Sequence, residues 1–158
     1  MKVFKESQKF DQWWIWIFLI PLGLFPLVGI YQQIIRGEPF GSNPMSDTML
    51  IIVAIFIIGF VWALYSLTLK TEIDSQEIRI KFGPLAKKTF RWSDIEKSEV
   101  IKYGFVGGWG IRIMTKYGTV YNVRGFKGLA LQMKDGKKFL IGTQKEDALK
   151  QFLSSIGK

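Results

Sequence analysis

Two stretches of this chain carry no charged side chain for long enough to cross a bilayer. Residues 13–35 and residues 49–69 are both uncharged and dominated by Ile, Leu, Val, Phe and Trp. Helices of roughly 20 residues rise about 30 Å, the thickness of a hydrocarbon core. Apolar runs of that length need lipid around them. The chain therefore reads as an integral membrane protein with a two-helix transmembrane hairpin over 13–69, its spans at 13–35 and 49–69 and its loop at 36–48. The first run is too long for a signal peptide and has no small-residue cleavage site, so it is expected to be retained.

Details of the spans support this reading. Trp13, Trp14, Trp16 and Tyr31 bracket the first run, and Trp62 and Tyr65 lie toward the end of the second, as interface anchors do. Pro21 and Pro26 predict a kink or local irregularity in the first helix. Gly59 and Ala63 form a small-residue pair that predicts a close approach between the helices. The loop holds one basic residue, Arg36. The N-terminal flank, residues 1–12, holds Lys2, Lys5 and Lys9, and the stretch after Leu69 quickly supplies Lys70, Arg79, Lys81, Lys87 and Lys88. The positive-inside rule then places both termini in the cytoplasm, in a multi-pass protein of the cytoplasmic (inner) membrane.

Beyond Lys70 the pattern changes to alternation. Ile78, Ile80 and Phe82 alternate with Glu77, Arg79 and Lys81, which predicts a half-buried strand closed by the Gly83-Pro84 turn. Further short strands are expected around Phe90, at Glu99 to Tyr103, Trp109 to Thr115, Thr119 to Val123 and Leu129 to Met133. Asp135-Gly136 is the signal for a hairpin into Phe139 and Ile141. Thr143 and Glu146 are spaced as a capping box. Ala148, Leu149, Phe152, Leu153 and Ile156 then make one apolar helix face. Residues 70–158 are thus expected to form about seven antiparallel strands in a curved sheet or barrel, capped by one C-terminal helix.

The net charge is +9. Basic and acidic residues balance over 1–69, so the excess belongs entirely to 70–158. A basic domain tethered to a bilayer points to anionic headgroups or an acidic protein partner rather than to nucleic acid. The chain has no cysteine and no histidine. This removes thiolate metal sites, the commonest general base and the usual serine or cysteine catalytic arrangements. The carboxylates Asp94, Glu96, Glu99, Asp135, Glu146 and Asp147 are scattered, with no recognisable acid–base pair. No catalytic, metal or cofactor residue is expected, and the chain reads as a non-enzyme. The run Gly104 to Gly110 matches no phosphate loop or dinucleotide fingerprint and is read as a strand connection with close backbone approach.

Three segments carry a resemblance: Gly107-Gly108-Trp109-Gly110-Ile111-Arg112, Tyr121-Asn122-Val123-Arg124-Gly125, and Asp135-Gly136-Lys137-Lys138-Phe139-Leu140-Ile141-Gly142-Thr143. With the two preceding helices, the chain resembles the small bacterial membrane proteins that carry a pleckstrin-homology-like (PH-like) domain. The resemblance implies a fold and a binding role, not a ligand, because such folds host many binding roles.

The candidate contacts for an anionic ligand or membrane surface are Arg79, Lys81, Lys87, Lys88 and Arg91, around the first full hairpin after the membrane. Arg112, Arg124 and Lys127 form a second group, with Arg112 expected in an ion pair or stacked on Trp109 or Tyr121. The functional expectation is a binding module at the inner leaflet that contacts anionic headgroups, a protein partner or both. The alternative is a structural or assembly subunit of a larger membrane complex, with the domain forming a homo-oligomer.

Overall fold

A computed structural model describes residues 2–158 and divides the chain into two compact units. One is residues 11–66; the other joins the segment ending at Phe10 to Leu67–Lys158.

The first unit is a helical hairpin. Helix α1 runs Trp13–Ile30 and passes into a π-helical turn at Tyr31–Ile35; helix α2 runs Asp47–Ser66. Both are long and apolar enough to cross a membrane. Most of their large side chains have no protein neighbour to cover them: Phe18 is 72% exposed and Phe56 74%. A core helix of a water-soluble protein of this kind would hide those rings. Helix α1 is assigned as α-helix through both Pro21 and Pro26, and the irregularity comes after them, in the π turn. The helices meet at Leu19, Pro26 and Gly29 on one side and Leu50 and Ala54 on the other, all buried. A Cβ on Gly29 would lie 2.9 Å from the Phe40 ring and 3.3 Å from Leu50 Cδ1, so hydrogen is the only side chain that fits there without a shift. The expected Gly59–Ala63 contact is not used. Nothing lies within 4 Å of a Cβ on Gly59, because the apolar side chains all around α2 leave the choice of contact face to shape rather than to the small-residue pattern. In the loop, Gln33 Nε2 donates to Met45 O at 2.8 Å and to Asp47 Oδ1 at 2.6 Å, tying the end of the first helix to the start of the second.

The second unit is two sheets packed on one core, with a terminal helix. The first sheet has strands β1 (Phe4–Lys9), β2 (Thr68–Ile73), β3 (Glu77–Phe82) and β4 (Ala86–Arg91), in that order and all antiparallel. The second has β5 (Ile95–Lys102), β6 (Gly110–Thr115), β7 (Gly118–Asn122), β8 (Lys127–Met133) and β9 (Lys138–Gly142), in the order β5-β8-β9-β7-β6. Helix α3 (Glu146–Ser155) buries Leu149 and Leu153. Leu69, Ile73, Ile78, Ile80 and Phe82 from the first sheet meet Leu129, Leu131, Ile141 and Tyr121 from the second. The strict inward–outward alternation in β3 is what burial of one face requires.

Several features differ from the sequence expectation. Among the described residues nine strands are present, eight of them after α2 where about seven were expected; the sheets do not close into a barrel, and β7 pairs with β9 in parallel. The N-terminal flank also contributes a strand: β1 lies at the edge of the first sheet, Ser7 opposite Lys70 and Glu6 opposite Thr71. The second apolar run stops being helix at Ser66, and Leu69 is fully buried in the β core. Lys5-Glu6-Ser7-Gln8-Lys9 has no apolar alternation, so its strand character is set by its partner.

The capping box is also replaced. Thr143 Oγ1 donates to Glu6 Oε2 at 2.6 Å and accepts from Lys145 N at 3.0 Å. Glu6 Oε1 takes the Gln144 N–H at 2.7 Å. The Thr143 N–H goes instead to Lys127 O at 2.9 Å, the residue before the helix is Lys145, and Glu146 turns to Lys127 and Lys150. The Asp135-Gly136 turn forms as read: Asp135 Oδ1 accepts the Lys137 N–H at 3.0 Å, and Gly136 has φ +82°.

Candidate functional site

The candidate hairpin, β3 and β4, offers two faces. Ile78, Ile80, Phe82 and Phe90 point into the core. On the solvent face the register builds cross-strand rows. One row runs Ser7, Lys70, Lys81, Lys87 across β1 to β4, and the next runs Lys5, Glu72, Arg79, Thr89.

The two rows differ in charge balance. In the second, Arg79 is held by three acids: Asp74 at 2.9 Å, Glu77 at 3.2 Å and Glu72 at 3.8 Å. Lys5 also reaches Glu72, at 3.4 Å. Asp74 is nearly buried and accepts the Gln76 N–H at 2.8 Å and the Glu77 N–H at 2.9 Å. Those backbone hydrogen bonds, with help from Arg79, hold its carboxyl below the usual carboxylate value. The Trp92 indole N–H caps the same turn through Asp74 O at 2.9 Å. Arg79 is therefore part of the turn that joins β2 to β3.

The first row has no such balance. Lys70, Lys81 and Lys87 are exposed, and none is in an ion pair among the described residues. Directly opposed residues on an antiparallel pair have Cβ atoms about 5 Å apart, and like charges there are destabilising. Three ammonium groups in file make a local excess of positive charge.

The hairpin turn is anchored. Gly83, at φ +48°, donates its N–H to Thr68 O at 2.8 Å. Leu85, beside it, is 63% exposed. The tip of the basic hairpin therefore lies at the end of the sheet where β2 begins.

The remaining candidates separate. Lys88 is opposite Ile80, off the lysine row, with its Nζ 5.0 Å from the Phe139 ring centroid. Arg91 is exposed and opposite Glu77. Arg112 lies neither on Trp109 nor on Tyr121 but over Gly108: a Cβ there would sit 2.8 Å from its Nη2, and Gly108 has φ +113°. Close approach accounts for Gly108 alone in the glycine run: Gly104, Gly107 and Gly110 have nothing within 4 Å of a Cβ and are set apart by positive φ, at +71°, +85° and +108°. The Arg112 Nε is buried without a hydrogen-bond partner. Arg124 is exposed after β7, and Lys127 is ion-paired to Glu146. Lys127 and Lys150 pull the Glu146 carboxyl down to about 2.

Lys70 is not among the candidates that the sequence singles out. The signal was the alternation in Leu69-Lys70-Thr71-Glu72-Ile73, a strand pattern hidden against the preceding apolar run. Among the described residues no three acids converge to hold a metal ion. No protein-family model matches the chain, and comparison with curated proteins finds no match.

Proposed function

We propose that this chain is a membrane-anchored, non-catalytic binding module whose first sheet contacts anionic headgroups through Lys70, Lys81 and Lys87. The observation that carries the reading is the Gly83–Thr68 hydrogen bond. Thr68 is two residues after the last residue of α2, and two residues span at most about 7 Å. If α2 crosses a membrane, the end of the sheet that holds the lysine row and Leu85 cannot be far from the headgroups. Each basic residue near an anionic surface is worth roughly 1 kcal/mol, fading within a Debye length of about 8 Å.

On this reading the domain is cytoplasmic, at the inner leaflet, by the charge asymmetry of the flanks and loop. The pairing of β1 with β2 supports both flanks being on one side. The PH-like resemblance belongs to the same proposal. Two sheets on one core with a C-terminal helix support it; the strand order and the parallel β7–β9 pair depart from a plain meander.

The test uses the full chain in nanodiscs of phosphatidylcholine alone or an equal mixture with phosphatidylglycerol. Acylation rates of individual lysines are read by mass spectrometry. Phosphatidylglycerol is expected to slow Lys70, Lys81 and Lys87 selectively, with salt restoring the rates, while Lys134 and Lys145 do not change. Uniform rates across all five would end the headgroup reading.

The second reading, an assembly subunit, is favoured by edge strand β6, where Ile113 is 69% and Met114 96% exposed. A defined oligomer mass in mild detergent, lost in the double variant Ile113→Ser/Met114→Ser, would support it.

A further inference from the structure

The face of the second sheet that looks away from the shared core carries a small core of its own. Tyr103, Val120 and Leu140 are buried there, with Ile101, Tyr117 and Ala130 packed partly against them. Beside this cluster opens a groove of about 450 Å³. Its apolar wall is Ile101, Ala130 and Tyr117, and its rim carries Lys97, Lys116 and Lys138.

The register explains why these lysines converge. Lys97, Gln132 and Lys138 form one cross-strand row over β5, β8 and β9. Lys116 comes from the β6–β7 turn, which is pressed onto β9. A Cβ on Gly118 would overlap the backbone oxygen of Lys138, and Gly118 has φ +73°. The turn is therefore held against the strand that presents Lys138. Lys97 is answered by Glu99 at 3.3 Å. Lys116 and Lys138 have no ion pair among the described residues, and Lys116 Nζ lies 5.0 Å from the Tyr117 ring centroid. The groove thus combines two uncompensated ammonium groups with an apolar and aromatic wall. Its volume suits a small organic ligand, whose orientation a few placed polar groups would fix.

We propose that this groove binds an organic phosphate monoester, its phosphate between Lys116 and Lys138 and its aromatic or apolar body against Ile101, Ala130 and Tyr117. A monoester carries between one and two negative charges at neutral pH, which matches two ammonium groups. The site does not depend on the lysine row of the first sheet, with which it shares no residue. The ligand reaches it either as a soluble molecule or as the headgroup of a lipid that ends in a phosphate monoester.

The test is fluorine NMR titration of 4-fluorophenyl phosphate into the full chain in phosphatidylcholine nanodiscs. Saturable binding is expected, with inorganic phosphate a much weaker competitor because it lacks the body. Lys116→Ser and Lys138→Ser are each expected to weaken binding by about tenfold, the equivalent of one charge-assisted hydrogen bond. Both positions are exposed, so the variants keep the fold, which circular dichroism checks. Ala130→Leu, which fills the groove, should abolish binding, and Lys81→Ser/Lys87→Ser should leave it unchanged. Displacement of the probe when phosphatidic acid is added to the discs marks the lipid source; its absence marks the soluble one. No saturable binding, or binding indifferent to Lys116, Lys138 and Ala130, overturns the proposal. Loss with the Lys81/Lys87 variant alone would assign the probe to the first sheet and overturn it equally.

Discussion

Glu6 and Thr143, separated by 137 positions in the chain, share a hydrogen bond of 2.6 Å in which the threonine hydroxyl donates to the carboxylate. The Gln144 N–H reaches the other carboxylate oxygen at 2.7 Å, and Gln8 Nε2 donates to Gly142 O at 2.7 Å. These contacts lock β1 across the end of β9, so the segment before the first apolar helix completes the domain that follows the second.

Glu6→Ala removes the acceptor from a buried hydroxyl and a part-buried N–H. Leaving such groups unsatisfied costs about 2 kcal/mol. The expected outcome is a clear drop in the denaturant midpoint of the full chain in detergent, with Glu6→Gln intermediate. A midpoint unchanged in Glu6→Ala would show that β1 is not held by this contact.

The β1–β2 pairing constrains topology independently of charge. Ser7 is opposite Lys70, so Ser7 and the domain must be on one side of the membrane. In intact cells an impermeant maleimide should label Ser42→Cys and spare both Ser7→Cys and Lys137→Cys. Labelling of Ser7→Cys without Lys137→Cys would contradict the sheet itself.

Asp74 makes stability depend on acid. Its carboxyl is held low first by the Gln76 N–H, then by the Glu77 N–H and Arg79. A depressed folded value gives stabilisation that is fully present above the unfolded value, about 3.9, and lost as pH falls through the folded one. Wild type should therefore exceed Asp74→Asn by a constant margin above about pH 5, and the margin should shrink below about pH 4. Melting curves from pH 3 to 7 check it; a margin that grows on acidification would reverse the sign.

Lysines 70, 81 and 87 trade stability for charge. Lys81→Thr removes the middle ammonium and should raise stability by up to about 1 kcal/mol at low salt in neutral detergent. Added salt should raise the wild-type melting temperature and narrow the gap to the variant. Arg79→Thr, one pleat away, should do the opposite, because Arg79 is surrounded by Asp74, Glu77 and Glu72.

Much of the architecture was legible locally. The two apolar runs announce helices, because no other backbone conformation satisfies its own hydrogen bonds in lipid. The alternation through Ile78, Ile80 and Phe82 announces β3, and Asp135-Gly136 announces its hairpin. The candidate residues were less legible. Arg79 and Lys81 look alike in sequence, two positions apart on one strand. Only the neighbours that the register brings beside them, acids for one and lysines for the other, distinguish a structural ion pair from an unbalanced cation.

Composition and periodicity by themselves determined the apolar hairpin, the basic β-rich domain and the terminal helix, since each depends on side chains close together in sequence. The tertiary structure alone decided that Lys5-Glu6-Ser7-Gln8-Lys9 is a strand, that Thr143 serves Glu6 rather than Glu146, that β7 runs parallel to β9, and that Lys70 joins Lys81 and Lys87. Each of these is a pairing between distant segments. Its free energy comes from groups that meet only after the chain has closed, so no local pattern in the sequence records it.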